Sequence, residues 1–266
     1  STGFLLAGSL LLLGLSSCSP AETGQTVVAD EADGGVPVFK VDPFWPKPLP
    51  NDWIIGEVAG VAVDARDHIW IVQRPRSLSV AEAAAVQDPP LAICCRPAPP
   101  VMEFDGQGNL VQGWGGISEG YEWPAAEHGI FVDYKDNVWV AGNSPIDHQV
   151  LKFTRDGTFL LQIGQAGKTG GSNHTEYLGR PADIHVDPEA NEVYIADGYM
   201  NRRVIIFDAD TGAYKRHWGA YGEKPNDLDP GAYDPDAPAP KQFRNPVHSV
   251  VISDDGLVYV GDRTNN

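Results

Sequence analysis

The sequence predicts an all-β protein, a β-propeller of short four-stranded blades. Three observations carry this. A β-hairpin unit recurs four times, a second hairpin follows it in the first three units, and no long amphipathic helical stretch interrupts them. Gly (29) and Pro (22) are frequent, as many short strands joined by tight turns require.

The first hairpin reads Gly60-Val-Ala-Val-Asp-Ala-Arg-Asp-His-Ile-Trp-Ile-Val72, and returns over 128–141, 182–196 and 248–261. Each copy is an apolar strand, an Asp/Asn/Gly turn and a second apolar strand. The second hairpin covers 101–114, 150–163 and 204–218. Two hairpins make a blade, and blades repeated around an axis make a propeller. The copies begin near Val61, Ile130, Ile184 and Val250, at spacings longer than a bare blade needs. The excess falls in 75–100, 164–180 and 219–245, and long insertions on a rigid scaffold usually build a binding face. Because three and a half blades do not close a ring, the sequence is expected to be cut at its C-terminus.

Ahead of the repeats, Phe4 to Leu15 form an apolar run too short to span a bilayer as a helix. Leu15-Ser16-Ser17-Cys18 follows, as at the cleavage site of a signal peptide. It resembles the bacterial lipobox, in which the Cys becomes the lipidated N-terminus. Residues 1–18 are therefore expected to be a lipoprotein-type signal peptide and 19–36 a flexible acidic tether. The propeller then occupies 37–266. No basic segment precedes the apolar run, so the N-terminus is also expected to be cut. The expected location is the bacterial cell envelope, outside the cytoplasm, with membrane contact only through the lipid on Cys18.

The formal net charge is −17. Such a surface repels a phosphate backbone, so nucleic acid is excluded as a partner. No CxxC pair exists, which argues against a thiolate zinc site. Cys94 and Cys95 are adjacent in a Pro-rich loop and are expected either as a vicinal disulfide or as two thiols.

Three segments carry a family resemblance: His128-Gly-Ile-Phe-Val-Asp with His148-Gln-Val-Leu-Lys-Phe; Arg180-Pro-Ala-Asp-Ile-His-Val-Asp-Pro188 with Asp197-Gly-Tyr-Met-Asn-Arg202; and Phe243-Arg-Asn-Pro-Val-His248-Ser with Asp262-Arg263. From about residue 55 onward the chain resembles the NHL-repeat propellers, usually six-bladed, and within them the peptidyl-α-hydroxyglycine α-amidating lyase domain. That resemblance implies cleavage of a carbinolamide C–N bond to an amide plus glyoxylate, with a small peptide or amide as substrate. It implies zinc held on the axis by three histidines, of which His128 and His248 match two. It implies Tyr199 as general base, and Arg74 and Arg263 beside the substrate. It implies a structural calcium taking backbone carbonyls at Val61 and Ile130. The chemistry is coherent. Imidazoles at equivalent blade positions converge on a propeller axis, and an open coordination position makes a zinc site catalytic. A phenol titrates near pH 10, so a general base of this kind needs a cation nearby.

The resemblance has gaps. The lyase disulfide would fall near Tyr177 and Met200, and neither is Cys. The 75–100 loop also departs from the lyase pattern. His68, His185 and His217 have no motif role and are read as surface or packing residues. Two other functions fit the same fold: a non-catalytic propeller binding a protein or glycan at the envelope, or another calcium- or zinc-dependent hydrolase.

Overall fold

The computed structural model describes residues 38–238 and 240–265. The segments expected as signal peptide and tether, with Cys18, lie outside them. The chain divides into Ser1–Pro43 and Phe44–Asn266. Of the first unit only 38–43 are described, and they hold no strand. The second unit contains the strands β1 (Trp53–Ile54), β2 (Glu57–Val63), β3 (Ile69–Arg74), β4 (Arg96–Pro97), β5 (Val101–Phe104) and β6 (Leu110–Trp114). Then come β7 (Glu127–Val132), β8 (Val138–Gly142), β9 (Gln149–Phe153) and β10 (Phe159–Gly164). The last are β11 (Asp183–Asp187), β12 (Glu192–Asp197), β13 (Arg203–Asp208), β14 (Tyr214–Trp218), β15 (Val247–Ile252) and β16 (Val258–Asp262).

They pair as three four-stranded antiparallel blades, β2-β3-β5-β6, β7-β8-β9-β10 and β11-β12-β13-β14, and a two-stranded sheet, β15-β16. The propeller reading therefore holds, blade for blade. One element was not anticipated. β1 pairs in parallel with β4, tying the segment before the first blade to the end of the 75–100 loop.

The turns show why the repeat folds as it does. In the β7–β8 turn, Asp133 Oδ1 accepts the backbone N–H of Lys135 and of Asn137, each at 2.9 Å. Asp136 takes a left-handed φ of 62°, closing a three-residue loop. The β2–β3 turn repeats this with Asp64 and Asp67, and Gly108, Gly157 and Gly256 hold the same left-handed position elsewhere. The Asp also reaches inward. Asp133 Oδ2 accepts Trp139 Nε1 at 2.9 Å, and Asp64 Oδ2 accepts Trp70 Nε1 at 3.0 Å. Both indoles are fully buried. Asp133→Ala would strand the Trp139 N–H as well as opening the turn. The expected loss is about 1–3 kcal/mol, read as a lower urea midpoint with an unchanged slope.

Blade packing explains the unbroken apolar strands. Val193, Ile195, Ile205 and Phe207 join Trp139, Ala141 and Val150 in the cluster between the second and third blades. Their neighbours Tyr194, Ala196, Val204 and Ile206 join Val247 and Val250 between the third blade and β15-β16. Each middle strand is buried on both faces, so alternation of polarity disappears.

This topology also locates the insertions. The start of an innermost strand lies beside the end of its antiparallel neighbour. Loops 75–100, 164–180 and 219–245 each either leave such an end or enter such a start, so all three gather on one face of the propeller. His128 and His248 begin innermost strands on that face.

Candidate active site

His128 is the second residue of β7, and His248 the second residue of β15. Each lies in a break of register. The β7–β8 ladder shifts between Glu127 and Ile130, and the β15–β16 ladder between Val247 and Ser249. The extra residue is a β-bulge, which re-aims a side chain at a strand end. Tyr199 comes from the loop between β12 and β13. Gly198 lets that loop reach the axis: a Cβ there would lie 2.0 Å from the Val247 carbonyl oxygen.

The three side chains meet. His128 Nε2 lies 2.9 Å from Tyr199 Oη, and His248 Nε2 lies 3.0 Å from the same oxygen. The two imidazole centroids are 5.3 Å apart. Residues separated by 71 and 49 positions in sequence are thus joined at one phenolic oxygen.

Both histidines are shifted toward the neutral form. Burial is the main cause for His128, reinforced by His248, Arg74 and Arg263, and its pKa falls from 6.5 to about 4. The opposing effect is a bond to the Ala182 backbone, which fixes the ring. Burial and then Arg263 lower His248 as well. Neutral imidazoles whose Nε2 atoms converge on one point are suitable zinc donors. These residues therefore fit the metal that the resemblance implies. A pH dependence follows. Between pH 6.5 and about 4 the unfolded chain binds a proton at position 128 that the folded chain refuses. Stability contributed by neutral His128 is present above 6.5 and is lost as pH falls through that window. Metal-free protein should melt at lower temperature at pH 5 than at pH 7, and His128→Gln should flatten that slope.

Three arginines surround the centre. Arg180 and Arg263 lie over the Tyr199 ring, with guanidinium carbons 5.3 and 5.6 Å from its centroid. Arg74 ends β3 and is tied down: Nε donates to the Glu127 carbonyl at 2.8 Å, and Nη1 pairs with Glu57 Oε2 at 3.1 Å. Its Nη2 reaches Asn143 Oδ1 at 3.4 Å. Arg74 and Arg263 were expected from the sequence; Arg180 was not.

No family model matches the chain. Curated relatives do. Peptidyl-glycine α-amidating monooxygenase B of Xenopus laevis is 28% identical over 229 residues, 79% of this chain and 22% of the relative. Peptidyl-α-hydroxyglycine α-amidating lyase 2 of Drosophila melanogaster is 34% identical over 103 residues, 38% of this chain and 23% of the relative. NHL repeat-containing protein 3 of Mus musculus is 26% identical over 237 residues, 86% of this chain and 55% of the relative. The chain is a β-propeller whose sequence resembles the NHL-repeat proteins and the amidating lyases. It spans about a fifth of the length of the amidating monooxygenase and about half that of the NHL protein.

Other positions implied by the lyase resemblance are distributed as follows. Val61 and Ile130, implied for calcium, lie on the neighbouring innermost strands β2 and β7. These strands approach closely, since a Cβ on Gly60 would lie 2.6 Å from the His128 carbonyl oxygen. Asp64, His68 and Glu103 bring ligand atoms within 4.8 Å of one another. This second cluster sits at the β2–β3 turn, the opposite end of the blade from the histidines. Its cation is already present. Arg155 Nη1 lies 2.7 Å from Asp64 Oδ2, and Arg155 Nη2 pairs with Glu103 Oε1. Burial pushes the Asp64 carboxyl up, but bonds from Trp70, from the Arg66 and His68 backbone and from Arg155 outweigh it and hold it at about 2. That network does not fit a metal.

Cys94 and Cys95 form a vicinal disulfide, one of the two expected states. His68 bonds Glu103 at 2.6 Å, His185 packs on Phe131 and His217 bonds Tyr214 Oη at 2.7 Å, all outside the centre.

Proposed function

We propose that this protein is a zinc-dependent lyase that cleaves the carbinolamide C–N bond of a peptidyl-α-hydroxyglycine-type substrate. The observation that carries the proposal is the meeting of His128 Nε2, Tyr199 Oη and His248 Nε2 within 3.0 Å steps at the head of the innermost strands. The sequence likeness to amidating lyases supports it.

In this reading His128 and His248 hold the metal. Zinc, when bound, supplies Lewis-acid polarisation of a substrate oxygen. Tyr199 Oη accepts the proton of the substrate hydroxyl as the C–N bond breaks. That proton ends on the departing amide nitrogen, and the former carbinol carbon leaves as the aldehyde of glyoxylate. Arg263 beside Tyr199 faces the substrate carboxylate. Arg74, bonded to the backbone of Glu127, braces the strand that presents His128. Calcium at the Val61 and Ile130 carbonyls would stiffen the approach of β2 to β7. A lipid on Cys18 would hold this chemistry in the cell envelope, and Cys18→Ser should release the protein from the membrane fraction.

The test is glyoxylate release from a model α-hydroxyglycine peptide by the full-length protein. Release should stop after chelation and return with added zinc. Zinc-replete protein that yields no glyoxylate would overturn the reading in favour of a binding propeller.

A further inference from the structure

Arg180 has an unusual backbone. Its φ of 61° is in the left-handed region, which side-chain-bearing residues other than Asn and Asp seldom adopt. Such outliers persist where the surroundings over-determine them, and they cluster at functional sites. Here the surroundings do so. Arg180 N–H donates to His148 Nδ1 at 3.2 Å, and the Arg180 carbonyl accepts Tyr199 N–H at 3.2 Å. The residue is therefore bonded directly to the one that bears the phenol.

The side chain is equally directed. Nε donates to the Asn143 carbonyl at 2.8 Å, and Nη2 bonds the same oxygen. Nη1 donates no hydrogen bond among the described residues. The guanidinium lies 5.3 Å from the Tyr199 centroid, and Arg263 lies 5.6 Å from that centroid. Neither arginine has a carboxylate partner among the described residues. Arg66, Arg74, Arg155, Arg203 and Arg216 all do, whereas Arg202 and Arg244, which also lack one, spend their side-chain donors on amide and carbonyl oxygens away from this ring. In a chain with 36 acidic and 19 Lys or Arg residues, two guanidiniums without a carboxylate partner among the described residues thus share one aromatic ring.

We infer that Arg180 and Arg263 form a carboxylate clamp around Tyr199, with Arg180 a specificity-determining residue of the site. The ligand class is a small carboxylate whose oxygens meet Arg180 Nη1 and the Arg263 fork. Its identity as the carboxylate of a hydroxyglycine rests on the lyase reading, but the binding of a carboxylate does not.

The experiment is calorimetric titration of the full-length protein, metal-free and with added zinc, with glyoxylate, and with acetate against acetamide. Wild type should bind glyoxylate and prefer acetate to its neutral isostere. R180Q should weaken glyoxylate binding about 10- to 100-fold, the loss of one charge-assisted bond. R180K should fall between, because lysine keeps the charge but not the fork. R216Q, remote on the third blade, should bind within about twofold of wild type and so reports on folding. The clamp is overturned if R180Q binds glyoxylate like wild type, or if wild type does not distinguish acetate from acetamide. Turnover separates the two proposals. An inactive protein whose carboxylate binding drops in R180Q keeps the clamp and loses the lyase. An active protein whose KM is unmoved in R180Q keeps the lyase and loses the clamp.

Discussion

Tyr199→Phe should lower turnover of a hydroxyglycine substrate by about 10²–10⁴, the usual contribution of a positioned general base. The substitution deletes a single oxygen. That oxygen is the atom on which His128 and His248 converge, at 2.9 and 3.0 Å. The ring remains, so its contacts with Arg180 and Arg263 are kept. Zinc content and melting temperature should therefore change little while kcat collapses. His128→Ala and His248→Ala should do the opposite, losing metal first and activity as a consequence. The contrast is informative because all three side chains touch. A purely structural triad would lose stability in every variant and show no such split. A Y199F protein with kcat close to wild type would remove Tyr199 from the chemistry.

Much of this could be read in the residues, and the part that could not has a physical reason. The hairpins were legible because their turns are local: an Asp, a left-handed Asp, Asn or Gly, and apolar runs on either side. His128, His248 and Tyr199 were legible through family resemblance. What brings them together was not. A bulge is defined by the partner strand, so the register breaks at Glu127–Ile130 and Val247–Ser249 leave no mark on either strand alone. Arg180 was hidden for the same kind of reason. Its orientation is set by His148 and Asn143, 32 and 37 residues away, and nothing within its own segment announces them. The β1–β4 pairing joins two-residue strands, too short for any periodicity to show.

The loop that carries Tyr199 is expected to depend on one buried ion pair, and breaking it should be strongly destabilising. Asp197 and Arg203 pair across the end of β12 and β13 with Arg203 Nε 2.8 Å from Asp197 Oδ2, and both side chains are fully buried. The remaining polar atoms are satisfied. Asp197 Oδ1 accepts Gly179 N–H at 2.6 Å, and Oδ2 also accepts Asn201 Nδ2 at 2.7 Å. Arg203 donates to the carbonyls of Ser172, His174 and Tyr177. The pair thus fastens the interblade loop to the Tyr199 loop, aided by Met200 N–H donating to the Gly179 carbonyl at 2.8 Å. The amidating-lyase resemblance implies a disulfide near Tyr177 and Met200; this chain meets the same need with charge and hydrogen bonds. Arg203→Met leaves Asp197 buried without its counter-charge, and such losses cost about 3–5 kcal/mol. For a domain of this size that is a fall in melting temperature of roughly 6–20 °C. Adding Asp197→Leu to Arg203→Met should recover part of the loss, since a buried pair replaced as a whole by apolar groups leaves no orphaned charge. Stability should recover without function. With the brace gone, Tyr199 is no longer held between the two histidines, so the double variant should melt later than R203M yet remain as slow. If the double variant regained both, the ion pair would be a packing element and the placement of Tyr199 would rest on Gly198 and on the backbone bonds of Tyr199 and Met200 to Arg180 and Gly179.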